Sequence, residues 1–271
     1  MQESKANVVL TGAAGGMGTA VARVLNQAGY QVIGLDIREP VDFPGRFIPT
    51  DITDPSSVEK AALAVSAIGP LRAIVHTAGI YDLNSLLEIS EEDFIRIWNV
   101  NLFGIYRVNK ALFPLLANQG DSGSIVIVSS ELAPLDPLPF TGLYAVTKSA
   151  IEKYAQALRQ EVQTKGCFVS VIRPGAVDTG MVSRSQQCLE RFVNETKLYK
   201  VNAANFKRVV DRVESRTIPP QRIGKLVLRA LESSRPAYVY KVNRNPGLLL
   251  LNLLPLRLQN RIIKGIITNK G

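Results

Sequence analysis

Short apolar runs alternate along the 271-residue chain with longer segments in which apolar residues recur at helical spacing. The run Ile-Val-Ile-Val at 125–128 has no polar alternation, which is typical of parallel strands buried on both faces beneath helices. Helical spacing of alanine, leucine and valine predicts helices in segments such as 19–28 and 149–164. The runs predicted to be strands are 7–11, 31–36, 73–77, 124–129, 168–173 and 237–242.

This alternation predicts one α/β domain with a doubly wound, Rossmann-like parallel sheet, because β-α-β crossovers are right-handed. No Pro/Ser-rich linker divides the chain, and its length and 46% hydrophobic content suffice for one large core. We therefore expect a main domain over residues 1–242, followed by a basic, Leu/Ile-rich amphipathic extension over residues 243–271.

A glycine-rich stretch follows the first predicted strand directly. Its sequence is Thr11-Gly12-Ala13-Ala14-Gly15-Gly16-Met17-Gly18, and residues 19–25 after it are helical in pattern. Without Cβ atoms the turn can be tight and the backbone can approach a pyrophosphate, while the N–H groups at the helix start can bind its negative charge. For this stretch alone, a plain strand-to-helix turn is the alternative.

The end of the second predicted strand favours a nucleotide site over a plain turn. Asp36 stands there, 18 residues after Gly18, where a carboxylate can accept both ribose hydroxyls and would repel a ribose phosphate. NAD is therefore favoured over NADP. Arg38 is the counter-argument, since an arginine near this position can bind a 2′-phosphate.

Further motifs follow in order along the chain. The phosphate loop has the spacing Thr-Gly-x-x-x-Gly-x-Gly, and a Tyr-x-x-x-Lys signature is present as Tyr144-Ala-Val-Thr-Lys148. The other segments are Asp51-Ile52, Asn99-Val100-Asn101, Ser129-Ser130 and Pro174-Gly175-Ala176-Val177-Asp178-Thr179. In this order they make residues 6–242 resemble the short-chain dehydrogenases/reductases, including the hydroxysteroid and retinol dehydrogenases. The resemblance implies an NAD(P)-dependent alcohol dehydrogenase or ketoreductase.

The resemblance also implies roles for single residues. Tyr144 is the expected acid and base with Lys148 beside it, Ser130 would hydrogen-bond the substrate oxygen, and Asn101 would hold a water that relays protons. It further implies a substrate lid over 180–220 and a homodimer or homotetramer through the helices at 101–116 and 145–164. The residues expected to bind the cofactor are Gly12, Ala14, Gly15, Gly16, Met17, Gly18, Asp36, Ile37, Asp51, Ile52, Thr77, Ala78, Gly79, Tyr144, Lys148, Pro174, Gly175, Val177 and Thr179.

The spacing of Tyr144 and Lys148 has a chemical reason. A tyrosine with a pKa of about 10 is a poor base at neutral pH, so its phenolate must be stabilised. Side chains four residues apart share one helix face, and the ammonium is therefore expected to lower the tyrosine pKa. An exposed helix pair is the better interpretation of two such residues alone, and the accompanying motifs overturn it.

Two features depart from the family pattern. His76-Thr77-Ala78-Gly79 stands in place of the usual Asn-Asn-Ala-Gly, and we expect the lone histidine, His76, to be a packed structural residue and not a catalyst. The distance from Ser130 to Tyr144 is 14 residues, one more than usual, so that the usual count selects Glu131. We favour Ser130, because a carboxylate close to the phenol would oppose the anionic form.

The surplus of basic residues lies entirely at the C-terminal end. Residues 1–221 hold 22 basic and 22 acidic residues, whereas residues 222–271 hold 10 and 1. These charges interleave with leucine and isoleucine, which disfavours nucleic acid as the partner. A basic face turned to solvent remains the plain interpretation.

Residues 256–268 have the pattern of an interfacial helix. One side carries Arg257, Arg261, Lys264 and Thr268, and the other carries Leu258, Ile262, Ile263, Ile266 and Ile267. The apolar run before it is too short to span a bilayer, which needs about 20 residues. Docking of residues 248–270 on an anionic membrane and packing against a neighbouring subunit both remain open.

Cysteine usage and the N-terminal sequence bear on the cellular location of the protein. Cys167 and Cys188 provide no disulfide framework, and the first residues do not have the pattern of a signal peptide. We expect an intracellular, cytoplasmic protein with peripheral membrane association as an option. No metal site is predicted.

A loop with three prolines separates Ser130 from Tyr144 and bears on the substrate. Its leucines and Phe140 would suit an apolar alcohol or ketone, of the steroid, retinoid or long-chain type, although they could equally pack the loop onto the domain. An oxidoreductase is the leading hypothesis. The alternatives are an NAD-binding sensor or scaffold without turnover, and a dehydratase or epimerase that uses the same tyrosine and lysine.

Overall fold

A parallel sheet of seven strands forms the centre of the computed structural model, which describes residues 5–117, 123–179, 181–213 and 216–268. The strand order is β3-β2-β1-β4-β5-β6-β7, and every neighbouring pair is parallel. The strands are β1 (Lys5–Thr11), β2 (Tyr30–Asp36), β3 (Arg46–Pro49), β4 (Leu71–His76), β5 (Ser124–Val128), β6 (Phe168–Pro174) and β7 (Val239–Val242).

Helices cover both faces of the sheet, so the expected single α/β fold of the Rossmann type is confirmed. The structure also has a π-helical turn, Asn99–Phe103, and a short 3-10 turn, Gln163–Lys165. The α-helices are α1 (Gly16–Gln27), α2 (Pro55–Ser66), α3 (Glu91–Trp98), α4 (Gly104–Ala117), α5 (Gly142–Val162), α6 (Met181–Glu195), α7 (Lys200–Val213), α8 (Gln221–Glu232), α9 (Pro246–Leu253) and α10 (Leu256–Thr268).

The strand β5 shows why the central strands lack polar alternation. Its Ile125 and Ile127 side chains pack into the core beneath α2, α4 and α5, whereas Val126 and Val128 pack into the core beneath α1 and α8. All four are 4% exposed or less. Successive strand residues point to opposite faces, so a strand covered on both sides must be apolar throughout.

Two elements show the main differences from the sequence-based prediction. The strand β3 is absent from it, because this edge strand is four residues long and half exposed and so carries no sustained apolar pattern. The helix α5 begins at Gly142, before the predicted starts at 145 and 149, so that the whole Tyr-x-x-x-Lys signature lies within its first two turns. Thr141 precedes the helix but makes no side-chain cap hydrogen bond.

The sheet places its binding crevice between β1 and β4. The chain moves outward from β1 through β2 to β3 and then returns to β4 on the other side of β1. At such a switch point the loops after the two strands diverge and leave a crevice at the carboxyl edge. The glycine-rich loop after β1 and the segment from Thr77 to Gly79 after β4 both border it.

The C-terminal extension folds back over the carboxyl edge of the sheet. Asn245 caps α9 by accepting hydrogen bonds from the Gly247 and Leu248 N–H groups, and the Asn252 amide oxygen accepts from the Asp136 N–H at 2.7 Å. The helix α10 packs against α7, where the Ile267 carbonyl accepts from the side chains of Asn202 and Asn205. None of the described helices has both the length and the apolar character required to span a membrane.

The packing of α1 against α8 generates a test of the core. A Cβ on Gly224 would lie 2.8 Å from a methyl of Val24 and 3.2 Å from the Ala20 carbonyl. We expect Gly224→Leu to lower the free energy of unfolding by about 1–3 kcal/mol in urea denaturation, because overpacking forces the helices apart. Gly265→Leu is the control, since nothing lies within 4 Å of Gly265 and leucine favours helix. Equal destabilisation by both variants would contradict the packing assignment.

Candidate active site

The glycine-rich loop makes contacts that only glycine allows. Gly12 has a φ of +73°, and a Cβ on it would lie 2.5 Å from the Ala78 nitrogen. A Cβ on Gly18 would lie 2.0 Å from the Gly12 carbonyl oxygen. These distances are shorter than any real contact of a Cβ atom. The two positions must therefore lack side chains for the loop backbone to pack on the segment after β4.

The N-terminus of α1 faces the same loop. Gly15 precedes this helix and provides no side-chain cap, so the first N–H groups are open to a ligand. A Cβ on Gly16 would lie 3.0 Å from Cβ of Thr179, which brings the segment after β6 against the start of α1. Bare backbone and a helix N-terminus fit the pyrophosphate of a dinucleotide.

The carboxyl end of β2 places Asp36 beside this loop. Its Oδ2 accepts from the Ala14 N–H at 3.0 Å, and Oδ1 accepts weakly from the Arg38 N–H at 3.4 Å. Ile37 follows it with a largely exposed side chain. A carboxylate fixed next to a phosphate-binding loop is positioned to accept the hydroxyls of an adenosine ribose.

The Asp51–Ile52 pair splits between surface and core. Asp51 accepts from the N–H and hydroxyl of Thr53, at 2.8 and 2.7 Å, and is exposed. Ile52 is 8% exposed and packs so closely on α4 that a Cβ on Gly104 would lie 2.6 Å from it. Contact of this pair with adenine stays a prediction.

The π-helical turn carries Asn101, which is fully buried. Its amide oxygen accepts from the Ile80 N–H at 2.8 Å, and its amide nitrogen donates to the Ile80 carbonyl at 3.0 Å. The same nitrogen donates to the Thr147 hydroxyl at 3.2 Å. The side chain therefore ties the loop after β4 to α5. Such π turns are frequent at functional sites.

A cavity of about 230 Å³ opens at the carboxyl edge and contains most of the expected catalytic groups. Ser130 follows β5 there, and its hydroxyl lies close enough to Tyr144 to favour the anionic form of the phenol. Lys148 lies one turn further along α5, with Nζ 5.6 Å from the centre of the Tyr144 ring. A Cβ on Gly79 would lie 3.4 Å from Oδ1 of Asn101 and 3.5 Å from Nζ of Lys148.

The cavity wall contains about half of the expected site residues. Apart from Met17, the phosphate loop is not on this wall, and neither are Asp36, Ile37, Asp51, Ile52, Ala78 and Asn101. The expected site residues that line it are Met17, Thr77, Gly79, Ser130, Tyr144, Lys148, Pro174, Gly175, Val177 and Thr179.

The expected lowering of the tyrosine pKa is wrong for the protein groups alone. Burial raises the pKa of Tyr144 to about 12, and the nearby Ser130 hydroxyl only partly opposes this. Burial also lowers the pKa of Lys148 to about 8, although the carboxylate of Glu152 favours the charged form. For both residues, removal from water outweighs the favourable contribution of the neighbouring group.

Sequence reasoning missed several polar groups that hold the site. Glu152 forms a hydrogen-bonded ion pair with Arg173 of β6 and lies one turn after Lys148, so its helical spacing from Lys148 was a usable signal. Thr147 has no such signal. Among the described residues, the buried Ser129 hydroxyl has no hydrogen-bond partner although it lines the cavity.

The lone histidine lies outside the cavity. His76 is 1% exposed, and its Nε2 lies 2.8 Å from the Asn109 amide oxygen. Burial lowers the His76 pKa to about 4. The geometry agrees with a structural role and disfavours a catalytic one.

The proline-rich loop between Ser130 and Tyr144 both lines the cavity and packs onto the domain, the two options that its sequence left open. Leu132 and Leu138 line the cavity, whereas Phe140 packs against Phe192 of α6 at 4.7 Å and Phe206 of α7 at 5.5 Å between ring centres. Leu248 of α9 is a further apolar wall residue, so the C-terminal extension also contributes to this pocket.

The buried ammonium generates a pH test. Lys148 has a pKa of about 8 against 10.5 in the unfolded chain, so between these values the unfolded chain binds more protons. The free energy of unfolding of the wild type, minus that of Lys148→Met, should therefore rise with pH across this window, by on the order of 3 kcal/mol. Denaturant titrations at several pH values measure it. Lys153→Met on the exposed face of α5 is the control, and a difference that falls with pH would contradict the burial assignment.

Comparison with known proteins agrees with this arrangement. The family model for short chain dehydrogenases matches residues 6–189. A 3-ketodihydrosphingosine reductase from Bacteroides thetaiotaomicron is 25% identical over 239 residues, with 87% of each chain covered. YbbO of Escherichia coli, described as an uncharacterized oxidoreductase, is 30% identical over 98% of this chain and 95% of its own.

A solved structure shows the same fold. The alcohol dehydrogenase of Thermococcus sibiricus, complexed with 5-hydroxy-NADP, superposes with a TM-score of 0.71 at 23% identity, covering 89% of this chain and 99% of that chain. The matched family model and the glycine loop, tyrosine, lysine and serine geometry thus agree, and the chain belongs to the short-chain dehydrogenase family.

Proposed function

We propose that this NAD(P)-dependent oxidoreductase interconverts an alcohol and a carbonyl compound, with Tyr144 as the acid and base. The observation that carries the proposal is that Ser130, Tyr144 and Lys148 lie together on the wall of an apolar cavity that opens next to the glycine loop. Both hydroxyls can reach a single substrate oxygen there. A sensor without turnover is disfavoured, because the reacting side chains are intact and already converge.

The chain's own residues would handle the proton. The bound nicotinamide supplies or accepts the hydride. During reduction the Tyr144 hydroxyl donates its proton to the carbonyl oxygen as negative charge develops there, and Ser130 donates a hydrogen bond to the same oxygen. A tyrosine pKa of about 12 keeps this acid protonated at neutral pH.

Lys148 and Asn101 support the reverse direction. Oxidation requires the phenolate, which an ammonium on the same helix face stabilises once it is charged. Nζ of Lys148 donates to the Val128 carbonyl at 3.3 Å and so stays near the tyrosine. Asn101 fixes the loop that flanks Nζ, and we propose that a water there passes protons from Lys148 toward solvent.

The cofactor preferred in this proposal is NAD. Asp36 stands next to the loop at the end of β2, and its negative charge would repel a 2′-phosphate. Arg38 remains the competing feature, and an NADP derivative occupies the Thermococcus sibiricus relative. Initial rates with NADH and NADPH decide between them.

The substrate class proposed is lipophilic. The cavity wall includes Leu132, Leu138, Val177, Phe206 and Leu248, so burial of an aliphatic chain or ring would be favourable. The Bacteroides thetaiotaomicron relative is named for reduction of a keto sphingoid compound, which supports a lipid ketone here as well.

We further propose a homodimer or homotetramer. Phe103 at the end of the π turn, Tyr106 of α4 and Val146 of α5 are between 44% and 46% exposed. Large apolar side chains on two helices are favourable contacts for a second copy.

The outer surface of the extension supports docking on an anionic membrane. Arg257, Arg261 and Lys264 flank an apolar stripe on α10 and are exposed. Cations beside aliphatic side chains match a negatively charged lipid surface better than a neutral protein face. The exposed apolar residues of α9 and α10, at 36–79% exposure, are Leu250, Leu253, Leu256, Leu258, Ile262 and Ile266.

Contacts of α9 and α10 with the rest of the chain hold the extension next to the cavity. One side of α10 packs on α7 through residues such as Ile267, so the stripe lies beside it and still faces outward. Leu248 of α9 meanwhile lines the cavity. A membrane-bound protein would therefore hold its cavity close to lipophilic substrate.

Replacement of the phenol tests the reaction. We expect Tyr144→Phe to lower kcat by about 100- to 10,000-fold, since general acid catalysis is lost, while NADH binding measured by fluorescence persists. Tyr154→Phe is the control, because this tyrosine on the same helix hydrogen-bonds Asn109 away from the cavity. A wild-type rate for Tyr144→Phe with any alcohol or ketone would disprove the assignment.

Vesicle binding tests the membrane proposal. The full chain should co-sediment with vesicles that contain phosphatidylserine, less with pure phosphatidylcholine, and less again at high salt. Leu253→Glu should abolish this, whereas Leu63→Glu, on the distant helix α2, should not. Negligible sedimentation by the wild type would overturn the proposal, and concentration-dependent self-association lost only in Leu253→Glu would assign the surface to a second subunit.

A further inference from the structure

Glu131 is a buried carboxylate on the cavity wall that the proposed reaction does not use. It follows Ser130 directly, is 9% exposed, and its N–H donates to the Pro174 carbonyl at 2.8 Å. The neighbouring wall residues Leu132 and Val177 are apolar. A charge in such surroundings is unfavourable unless a partner compensates for lost water.

Its two oxygens differ in their surroundings. Oε2 accepts from the Asn245 N–H at 2.7 Å. Oε1 lies 2.9 Å from the position that a Cβ on Gly175 would occupy, beside a wall residue of the cavity. In the described part of the chain, no side chain forms an ion pair with this carboxylate, although Arg244 favours its charge from a distance.

The hydrogen bond from the Asn245 N–H does not by itself explain a charged residue at position 131. A carboxylate can accept about four hydrogen bonds, and one backbone N–H satisfies only one of them. Burial accordingly raises the pKa of Glu131 above its usual value. A donor that enters with the substrate would satisfy the remaining sites.

We propose that Glu131 binds an ammonium group on the substrate, so that the preferred substrate is a lipophilic amino alcohol or the corresponding amino ketone. This inference rests on the proposed oxidoreductase function. A charge-assisted hydrogen bond to a desolvated carboxylate is among the strongest polar contacts available in such a cavity.

The position of Glu131 next to Ser130 indicates where the amine binds. The proposed reaction places the reacting oxygen at Ser130, and Glu131 is the next residue and lines the same cavity. We therefore place the amine close to the reacting carbon. The aliphatic remainder lies toward Leu138, Phe206 and Leu248.

Matched substrates test the proposal. The wild type should oxidise a long-chain vicinal amino alcohol with a higher kcat/KM than the plain secondary alcohol of equal length. Glu131→Gln keeps an acceptor for the Asn245 N–H and should lower kcat/KM for the amino alcohol by about 10- to 100-fold, with the plain alcohol little changed. Asp136→Asn is the control, because it removes one exposed carboxylate from the same loop outside the cavity.

Each outcome separates this inference from the proposed function. Equal loss for both alcohols in Glu131→Gln, or a preference for a vicinal diol over the amino alcohol, overturns the ammonium site and leaves the oxidoreductase. If the wild type oxidises neither alcohol, the proposed function fails, and calorimetry with dodecylamine and dodecanol decides the site. Amine binding lost in Glu131→Gln supports the site, and equal amine binding by both proteins overturns it.

Discussion

Lys148 holds its ammonium at the carboxyl edge of the sheet with a side chain only 5% exposed, where burial opposes the charge that its role requires. Its Nζ donates to the Val128 carbonyl, and the Glu152 carboxylate one turn further favours the charge. Glu152 is itself held by Arg173. A strand end, a helix face and an ion pair must therefore all be in register before this charge can be tolerated.

The same constraint explains the unusual backbone nearby. Asn101 is buried near Lys148, and its amide replaces lost hydrogen bonds to water with bonds to the N–H and the carbonyl of Ile80. The π turn puts its amide there, and Gly79 leaves room between the amide oxygen and Nζ. Local irregularity is stabilised because it satisfies polar groups that would otherwise be buried without partners.

The wall of the cavity depends in part on a different region of the molecule. The extension begins at Asn243, whose amide donates to the Ala176 carbonyl at 2.8 Å, and Gly175 allows its backbone to approach closely. Asn245 then meets Glu131, and Leu248 enters the cavity wall. The catalytic geometry thus belongs to the sheet edge, whereas the shape and charge of the pocket depend on residues more than 100 positions later in sequence.

Local pattern predicted the parallel sheet and the glycine loop, because strand burial, helix spacing and bare backbone each leave a short-range signature. The family resemblance, and not the pattern, identified Asn101, Ser130, Tyr144 and Lys148 as a set. Local pattern did not reveal the edge strand β3, where that signature is absent, or the true start of α5. Only the tertiary structure decided that burial raises the Tyr144 pKa, that the extension packs on its own chain, and that Glu131 faces the cavity. These outcomes depend on desolvation and on contacts between distant segments, and neither can be read from residues considered along the chain.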